Sequence, residues 1–89
     1  MASMLIQHKV EDFTAWKKVF DSFASLRTSS GEISHQIFRD ANDPNQVTII
    51  NKWDSLADAQ KFAHSPDLKS AMEKAGVVGQ PAISFLNEE

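Results

Sequence analysis

Two hydrophobic periods alternate along this chain, and they constrain its fold more than any other feature. Residues Met4–Val10, Glu32–Asp40 and Gln46–Trp53 switch between unlike side chains at every position. A period of two is typical of strands with two different faces. Residues 41–45 are rich in turn formers and predict a hairpin between the second and third strands. A fourth, shorter strand is predicted at Pro81–Leu86.

Two stretches with helical spacing separate these strands. The first follows a capping acid, Asp12, and predicts a helix of about 14–16 residues that ends in a loop at residues 28–31. The second begins at Asp54 or Ser55, restarts at Ser65-Pro66 and ends at Gly76. The order β-α-β-β-α-β predicts an α+β, ferredoxin-like fold, with a four-stranded antiparallel sheet and both helices on one face.

Composition excludes several classes of function. The 89 residues suit a single domain spanning residues 1–89, and the absence of cysteine excludes disulfides and thiolate metal sites. The net charge is −3 and no basic cluster exists, which argues against nucleic-acid binding. Apolar runs of two or three residues predict neither a membrane helix nor a signal peptide, so we expect a cytoplasmic protein.

The two faces of the predicted sheet differ in character. The set expected beneath the helices is Ile6, His8, Val10, Ile33, Ile37, Val47 and Ile49. The opposite set is Leu5, Gln7, Lys9, Ser34, Gln36, Phe38, Thr48, Ile50, Lys52, Ser84 and Leu86. Antiparallel sheets often leave one face to solvent, but an apolar patch of this kind marks an interface or a ligand site. We expect a homodimer in which two such faces pack together and enclose a cavity, since a domain this small gains stability from assembly.

Polar residues near this sheet are the candidates for catalysis. His8 and His35 share one face, where each is either a buried imidazole bonded to backbone or to Asn51, or a base that moves a proton. Lys52 is the third candidate, because an ammonium group stabilises a phenolate or enolate. No histidine pair has chelating spacing, so no metal site is predicted.

Candidate ligand contacts lie on the second and third strands. They are Gln36, Phe38, Ile50, Asn51 and Trp53. An enzyme with this site is expected to enclose roughly 300 Å³ or more with convergent polar groups. The alternative is a lumen that Phe38, Ile50 and Leu86 fill, as in a purely structural dimer.

Several sequence blocks carry a resemblance to a known family. They are Val10-Glu11-Asp12-Phe13 with Trp16-Lys17 and Phe20-Asp21, then Trp53-Asp54-Ser55, then Phe62-Ala63-His64-Ser65-Pro66 with Leu68 and Ala71-Met72. With the order of elements, they resemble the dimeric α+β barrel superfamily over roughly Leu5 to Leu86, and within it the small antibiotic-biosynthesis-monooxygenase-like proteins, often labelled cyclases.

The resemblance implies a homodimeric barrel that binds a small molecule. It also implies a cofactor-independent monooxygenase-like or cyclase-like enzyme that acts on an aromatic or polyketide-like compound. The chain departs from that pattern at two places. Members commonly have an acid just before the tryptophan that ends the third strand, where this chain has Asn51-Lys52-Trp53. Phe62 replaces a frequent histidine three residues before the Ser-Pro step. A protein that sequesters a metabolite without changing it, or acts in a stress response, therefore stays open as an alternative function.

Overall fold

The computed structural model describes residues 2–89, which form four strands and four helices. They are, in chain order, β1 (Ala2–Val10), α1 (Phe13–Ser22), α2 (Ala24–Ser30), β2 (Glu32–Arg39), β3 (Gln46–Trp53), α3 (Leu56–Ala63), α4 (Pro66–Lys74) and β4 (Val77–Asn87). The strands form one sheet of order β2-β3-β1-β4, and each neighbouring pair is antiparallel. The predicted ferredoxin-like α+β class is confirmed.

The central strands alternate as the sequence predicts. Val47, Ile49, Asn51 and Trp53 of β3 are buried, while the intervening residues are half-buried. On β1 the buried residues include His8. Ile6 of β1 pairs with Ile49 of β3, so the buried side chains of the two strands lie next to each other on one face. The helices cover this face and the other face is open, so the core lies in a single layer between sheet and helices.

That core is apolar apart from a few buried polar groups. Its buried members are Met4, Ile6, Val10, Trp16, Val47, Ile49, Trp53, Ala59, Phe62 and Ala75. In the described residues 2–89, no helix is long and apolar enough to cross a membrane.

Strand β2 departs from the predicted alternation at its start. Glu32 pairs with Trp53 but Ser34 pairs with Lys52, so one extra residue bulges out between them. The expectation that Ile33 lies beneath the helices is wrong, since its side chain is 48% exposed. A bulge shifts the faces by one position, and Glu32 takes the inward place instead.

Both predicted helices divide into two. The first breaks at Phe23 (φ −99°, ψ 12°) and continues to Ser30, so the loop predicted at residues 28–31 is wrong except for Gly31. Gly31 ends α2 with φ +116°, and a Cβ there would lie 2.8 Å from an oxygen of Asp58. The second divides between His64 and Pro66, as Ser65-Pro66 predicts.

The last strand is longer than the sequence pattern indicates. Val77 and Val78 pair with Val10 and Lys9, although they precede the predicted start at Pro81. Residues 79–81 bulge opposite one residue of β1, and Gly79 permits this with φ +73°. Because this bulge interrupts the period of two, the sequence pattern does not reveal the first residues of β4 as part of the strand.

Candidate functional site

A cavity lies between the covered face of the sheet and the helices. Its volume is about 60 Å³, several times the space that one water needs. Its walls are almost entirely apolar and comprise Ile6, His8, Trp16, Val19, Phe20, Phe23, Leu26, Arg27, Ile49, Asn51, Phe62, Asp67, Leu68, Ala71, Met72 and Ala75. The space is smaller than the roughly 300 Å³ expected of an enzyme site.

His8 reaches the cavity from the C-terminal half of β1. Its ring meets the edge of Trp16 at a centroid distance of 5.6 Å, and its Nδ1 atom is buried without a hydrogen-bond partner. Burial lowers the pKa of His8 below its ordinary value of 6.5, because desolvation penalises the charged ring. The imidazole is therefore mostly neutral at pH 7.

Asn51 reaches the same cavity from β3. Its Nδ2 atom donates a hydrogen bond of 3.0 Å to Oε2 of Glu32, and this bond sets which end of the amide is the acceptor. Its Oδ1 atom is buried and has no partner. Asn51 thus holds a carbonyl oxygen next to the cavity for which the described residues supply no hydrogen-bond donor.

A buried ion pair stands behind Asn51. Arg27 Nε donates to Glu32 Oε1 at 3.2 Å, and both side chains are almost fully buried. The guanidinium lies 3.6 Å from the centroid of the Phe20 ring and donates to the backbone oxygen of Phe20. Glu32 therefore joins Arg27 to Asn51 and holds both in place.

The sequence reasoning missed Arg27 and Glu32. Arg27 continues the apolar stripe of Phe13, Trp16, Phe20 and Phe23, and a charge on such a stripe signals a buried partner. No comparable sequence pattern marks Glu32, because it points inward only as a result of the bulge that follows it.

His35 lies at the solvent side of this network. Its Nδ1 atom is 3.3 Å from Glu32 Oε1, its ring meets Phe20 edge-on at 5.0 Å, and its side chain is 37% exposed. Trp53 is fully buried against Phe62, with an unpaired Nε1 atom, and does not line the cavity.

The remaining predicted site residues lie on the open face. Gln36 pairs with Ile50 and Phe38 with Thr48, on the side of the sheet opposite to His8. Lys52 is on the same open side, with its Nζ atom 3.7 Å from Glu88. The structure thus brings His8 and Asn51 to one cavity, with His35 beside it, and separates them from Lys52, Gln36, Phe38 and Ile50. The roles assigned to all of them stay predictions.

A wider open groove of about 570 Å³ lies between α4 and β4. None of the three buried, unpartnered side-chain atoms of residues 2–89 belongs to its walls. In the same part of the chain, no three His, Asp or Glu side chains come together as metal ligands. The cavity at His8 and Asn51 is therefore the stronger candidate site.

Comparison with solved structures shows the same fold in distant relatives. SnoaB, a cofactor-independent oxygenase from Streptomyces nogalater, superposes with a TM-score of 0.78 at 13% identity, covering 99% of this chain and 92% of its own. A Bordetella bronchiseptica protein gives 0.81 at 12% identity, covering 99% and 96%. Rv0793 from Mycobacterium tuberculosis gives 0.73 at 11% identity, covering 99% and 94%.

Sequence comparison assigns the family. A search of curated proteins finds no match. The model of the family described as antibiotic biosynthesis monooxygenase matches residues 1–74, which is most of the chain. The resemblance predicted from the sequence is confirmed: the chain belongs to the antibiotic biosynthesis monooxygenase family.

Proposed function

We propose that the protein is a homodimeric, monooxygenase-like enzyme that binds an aromatic compound in the cavity between sheet and helices and needs no bound cofactor. One observation carries this proposal: the walls of an apolar cavity include a neutral histidine and an asparagine, and each of them has a buried polar atom without a hydrogen-bond partner. Native structures rarely leave such atoms unsatisfied, and a catalytic role is one of the explanations for the exceptions. The family and the description of SnoaB as a cofactor-independent oxygenase support it.

The chemistry follows from these two side chains. Asn51 Oδ1 accepts a hydrogen bond from a phenolic hydroxyl, and His8 Nδ1 takes the proton as the general base. The electron-rich ring then reacts with dioxygen: one oxygen atom enters the ring, and the other leaves as water with the proton that His8 held and the hydrogen of the substituted ring carbon. The phenol supplies the two electrons that reduce this second oxygen atom, as it becomes a quinone. The apolar walls exclude bulk water from this exchange.

The open face supports the dimer. Phe38 and Leu86 are 48% and 44% exposed there, beside half-buried Leu5 and Ile50. A second copy packed on this face removes their side chains from water. In that assembly Gln36 and Lys52 lie between the two sheets, on the far side of each sheet from its own His8.

A binding protein without turnover is the second candidate. The nearly complete apolar lining favours it, because such walls hold an apolar metabolite without any chemistry. The two functions differ in whether the ligand is changed.

Oxygen uptake and product mass decide between them. With phenols of one to three rings, the enzyme is expected to consume one dioxygen per product and to yield quinones 14 Da heavier. His8→Gln is expected to lower turnover about 100-fold, in the range of general-base catalysis, while His64→Gln on the exposed end of α3 leaves it unchanged. Saturable binding without oxygen uptake identifies the sequestering protein, and the absence of binding contradicts both functions.

A further inference from the structure

The cavity beneath the helices and the open groove between α4 and β4 share part of one wall. Leu68 and Met72, which lie one turn apart on α4, line both spaces. We propose that Met72 is a gate residue: a ligand enters the cavity from this groove when the Met72 side chain moves, and Met72 limits the size of the ligands that enter. The inference rests on the proposed function, because it concerns the entry route to that same site.

The closed cavity is too small for an aromatic ring. Its volume is about 60 Å³, whereas an apolar cavity that binds benzene has about 150 Å³. An aromatic ligand therefore requires that one wall of the cavity moves. The groove has a volume of about 570 Å³, so the space that results when the two join is above the roughly 300 Å³ at which ligand sites begin.

Helix α4 is the wall with the weakest anchoring in the core. The other three helices each contain a buried side chain, for example Trp16 in α1, Arg27 in α2 and Phe62 in α3. Helix α4, which the structure describes over its whole length, contains none. Segments with few buried contacts open at a low cost in free energy. Movement of α4 is therefore the least costly way to enlarge the cavity.

Within α4, Met72 is better suited to move than Leu68. The backbone N–H of Leu68 donates to the hydroxyl of the capping residue Ser65 at 3.2 Å, which fixes the first turn of the helix. Met72 lies one turn further along and is half-buried. Methionine is unbranched and has three rotatable side-chain bonds, so its side chain adapts to a changed space.

A second groove, of about 290 Å³, touches the cavity wall at Leu26, Phe62 and Asp67. It is a less suitable entrance, because Phe62 is only 7% exposed and packs against Trp53. The other residues of this second groove are all polar: Ser29, Ser30, Asp58, Lys61 and Ser65. The groove between α4 and β4 instead offers an apolar ligand the half-buried side chains of Val77, Pro81 and Ile83.

Thiol labelling of the full chain tests the gate without any assumption about the ligand. The chain has no cysteine, so Ile49→Cys introduces a single thiol on the sheet side of the cavity, at a position that is 3% exposed. The rate of its reaction with methyl methanethiosulfonate, followed by mass spectrometry, rises with the population of the open form. Addition of Met72→Ala is expected to raise this rate at least about tenfold, since the side chain that closes the cavity is then missing.

Leu26→Ala is the matched control for this substitution. It removes as many side-chain atoms from the cavity wall, but on the side of the second groove. We expect it to raise the labelling rate less than about threefold, because Phe62 still closes that side. Equal rates in the two variants overturn the gate, and so does an increase that urea denaturation accounts for by the lower stability of Met72→Ala alone.

Met72→Leu decides the question if Met72→Ala does not fold. Leucine conserves the side-chain volume and is tolerated in cores, but it has fewer rotatable bonds than methionine. Labelling of Ile49→Cys is therefore expected to become several-fold slower when Met72→Leu is added. An equal or faster rate overturns the role of Met72.

Stopped-flow binding of two phenols connects the gate to the proposed function. Met72→Ala is expected to speed the association of naphthalen-2-ol at least about tenfold and that of the smaller 4-methylphenol by less, since conformational opening limits association rates. The same acceleration for both phenols overturns Met72 as the determinant of ligand size. If labelling responds to Met72→Ala but neither phenol binds, the proposed function fails while the gate stands.

Discussion

Three buried side-chain atoms of residues 2–89 lack a hydrogen-bond partner: His8 Nδ1, Asn51 Oδ1 and Trp53 Nε1. Each such atom costs about 1–3 kcal/mol of folding free energy. His8 and Asn51 line the same cavity, while Trp53 packs against Phe62 outside it. At the scale of single residues, the unpartnered atoms of His8 and Asn51 therefore lower the folding stability, and a ligand that bonds to them can recover part of it.

The pH dependence of stability reports on His8. Burial lowers its folded-state pKa below 6.5, so below pH 6.5 the unfolded chain binds the proton first. As the pH is lowered from about 6.5 to the lowered pKa, the free energy of unfolding is expected to decrease by up to about 1.4 kcal/mol per pH unit. Well above pH 6.5, His8 has no effect on the stability.

Urea denaturation between pH 7.5 and 5 measures this loss. It is carried out at one fixed protein concentration, because assembly shifts apparent stability. The control is His8→Phe, which keeps a ring of similar shape and lacks the titrating group. An identical pH slope in wild type and His8→Phe contradicts the account of a desolvated imidazole.

At the scale of elements, helix caps position the cavity wall. Ser65 joins α3 to α4, because its hydroxyl accepts a hydrogen bond from the N–H of Leu68 and donates one to the backbone oxygen of Phe62. Helix α4 brings Leu68, Ala71 and Met72 to the cavity. The Ser-Pro step thus sets the direction of a helix that closes the site.

Removal of this cap has a measurable cost. Ser65→Ala is expected to lower the free energy of unfolding by about 1 kcal/mol, as loss of an N-cap does. Ser70→Ala, at an exposed position of the same helix, is the matched control and is expected to change it by less than about 0.5 kcal/mol. Equal thermal stabilities of the two variants speak against a capping role for Ser65.

The elements also show where sequence reasoning succeeds. Periodicity predicts the faces of β1 and β3, since both are central strands with regular pairing over most of their length. It fails at Ile33 and at residues 79–81, because both edge strands contain bulges that no parity rule detects. His8 and Asn51 attract notice as polar residues on a buried face, whereas Glu32 turns inward only through its bulge.

At the scale of the whole molecule, the sheet separates two compartments. One is the cavity beneath the helices, and the other is the open face with Phe38 and Leu86. Lys52 and Glu88 form an exposed ion pair on that face, with 3.7 Å between Lys52 Nζ and Glu88 Oε1, so the pair contributes little to stability. The open face is suited to a second copy of the chain.

Solution mass tests that assembly. Light scattering behind a sizing column is expected to give about twice 9.9 kDa across a tenfold dilution. Phe38→Glu places a charge in the apolar patch and is expected to shift the mass toward the monomer. Leu56→Glu alters an exposed apolar residue on α3 instead and is expected to leave the mass unchanged. A wild-type monomer at all concentrations contradicts the proposed dimer.

The two tryptophans provide the most direct test of the central claim, that the ligand site lies between the sheet and the helices. Trp16 lines the cavity, whereas Trp53 is buried outside it. In a nuclear magnetic resonance titration with 4-methylphenol, the indole N–H signal of Trp16 and the side-chain amide of Asn51 are expected to shift with one affinity, while the indole of Trp53 stays in place. Shifts confined to Phe38 and Ile50 on the open face, or no shifts at all, contradict the account.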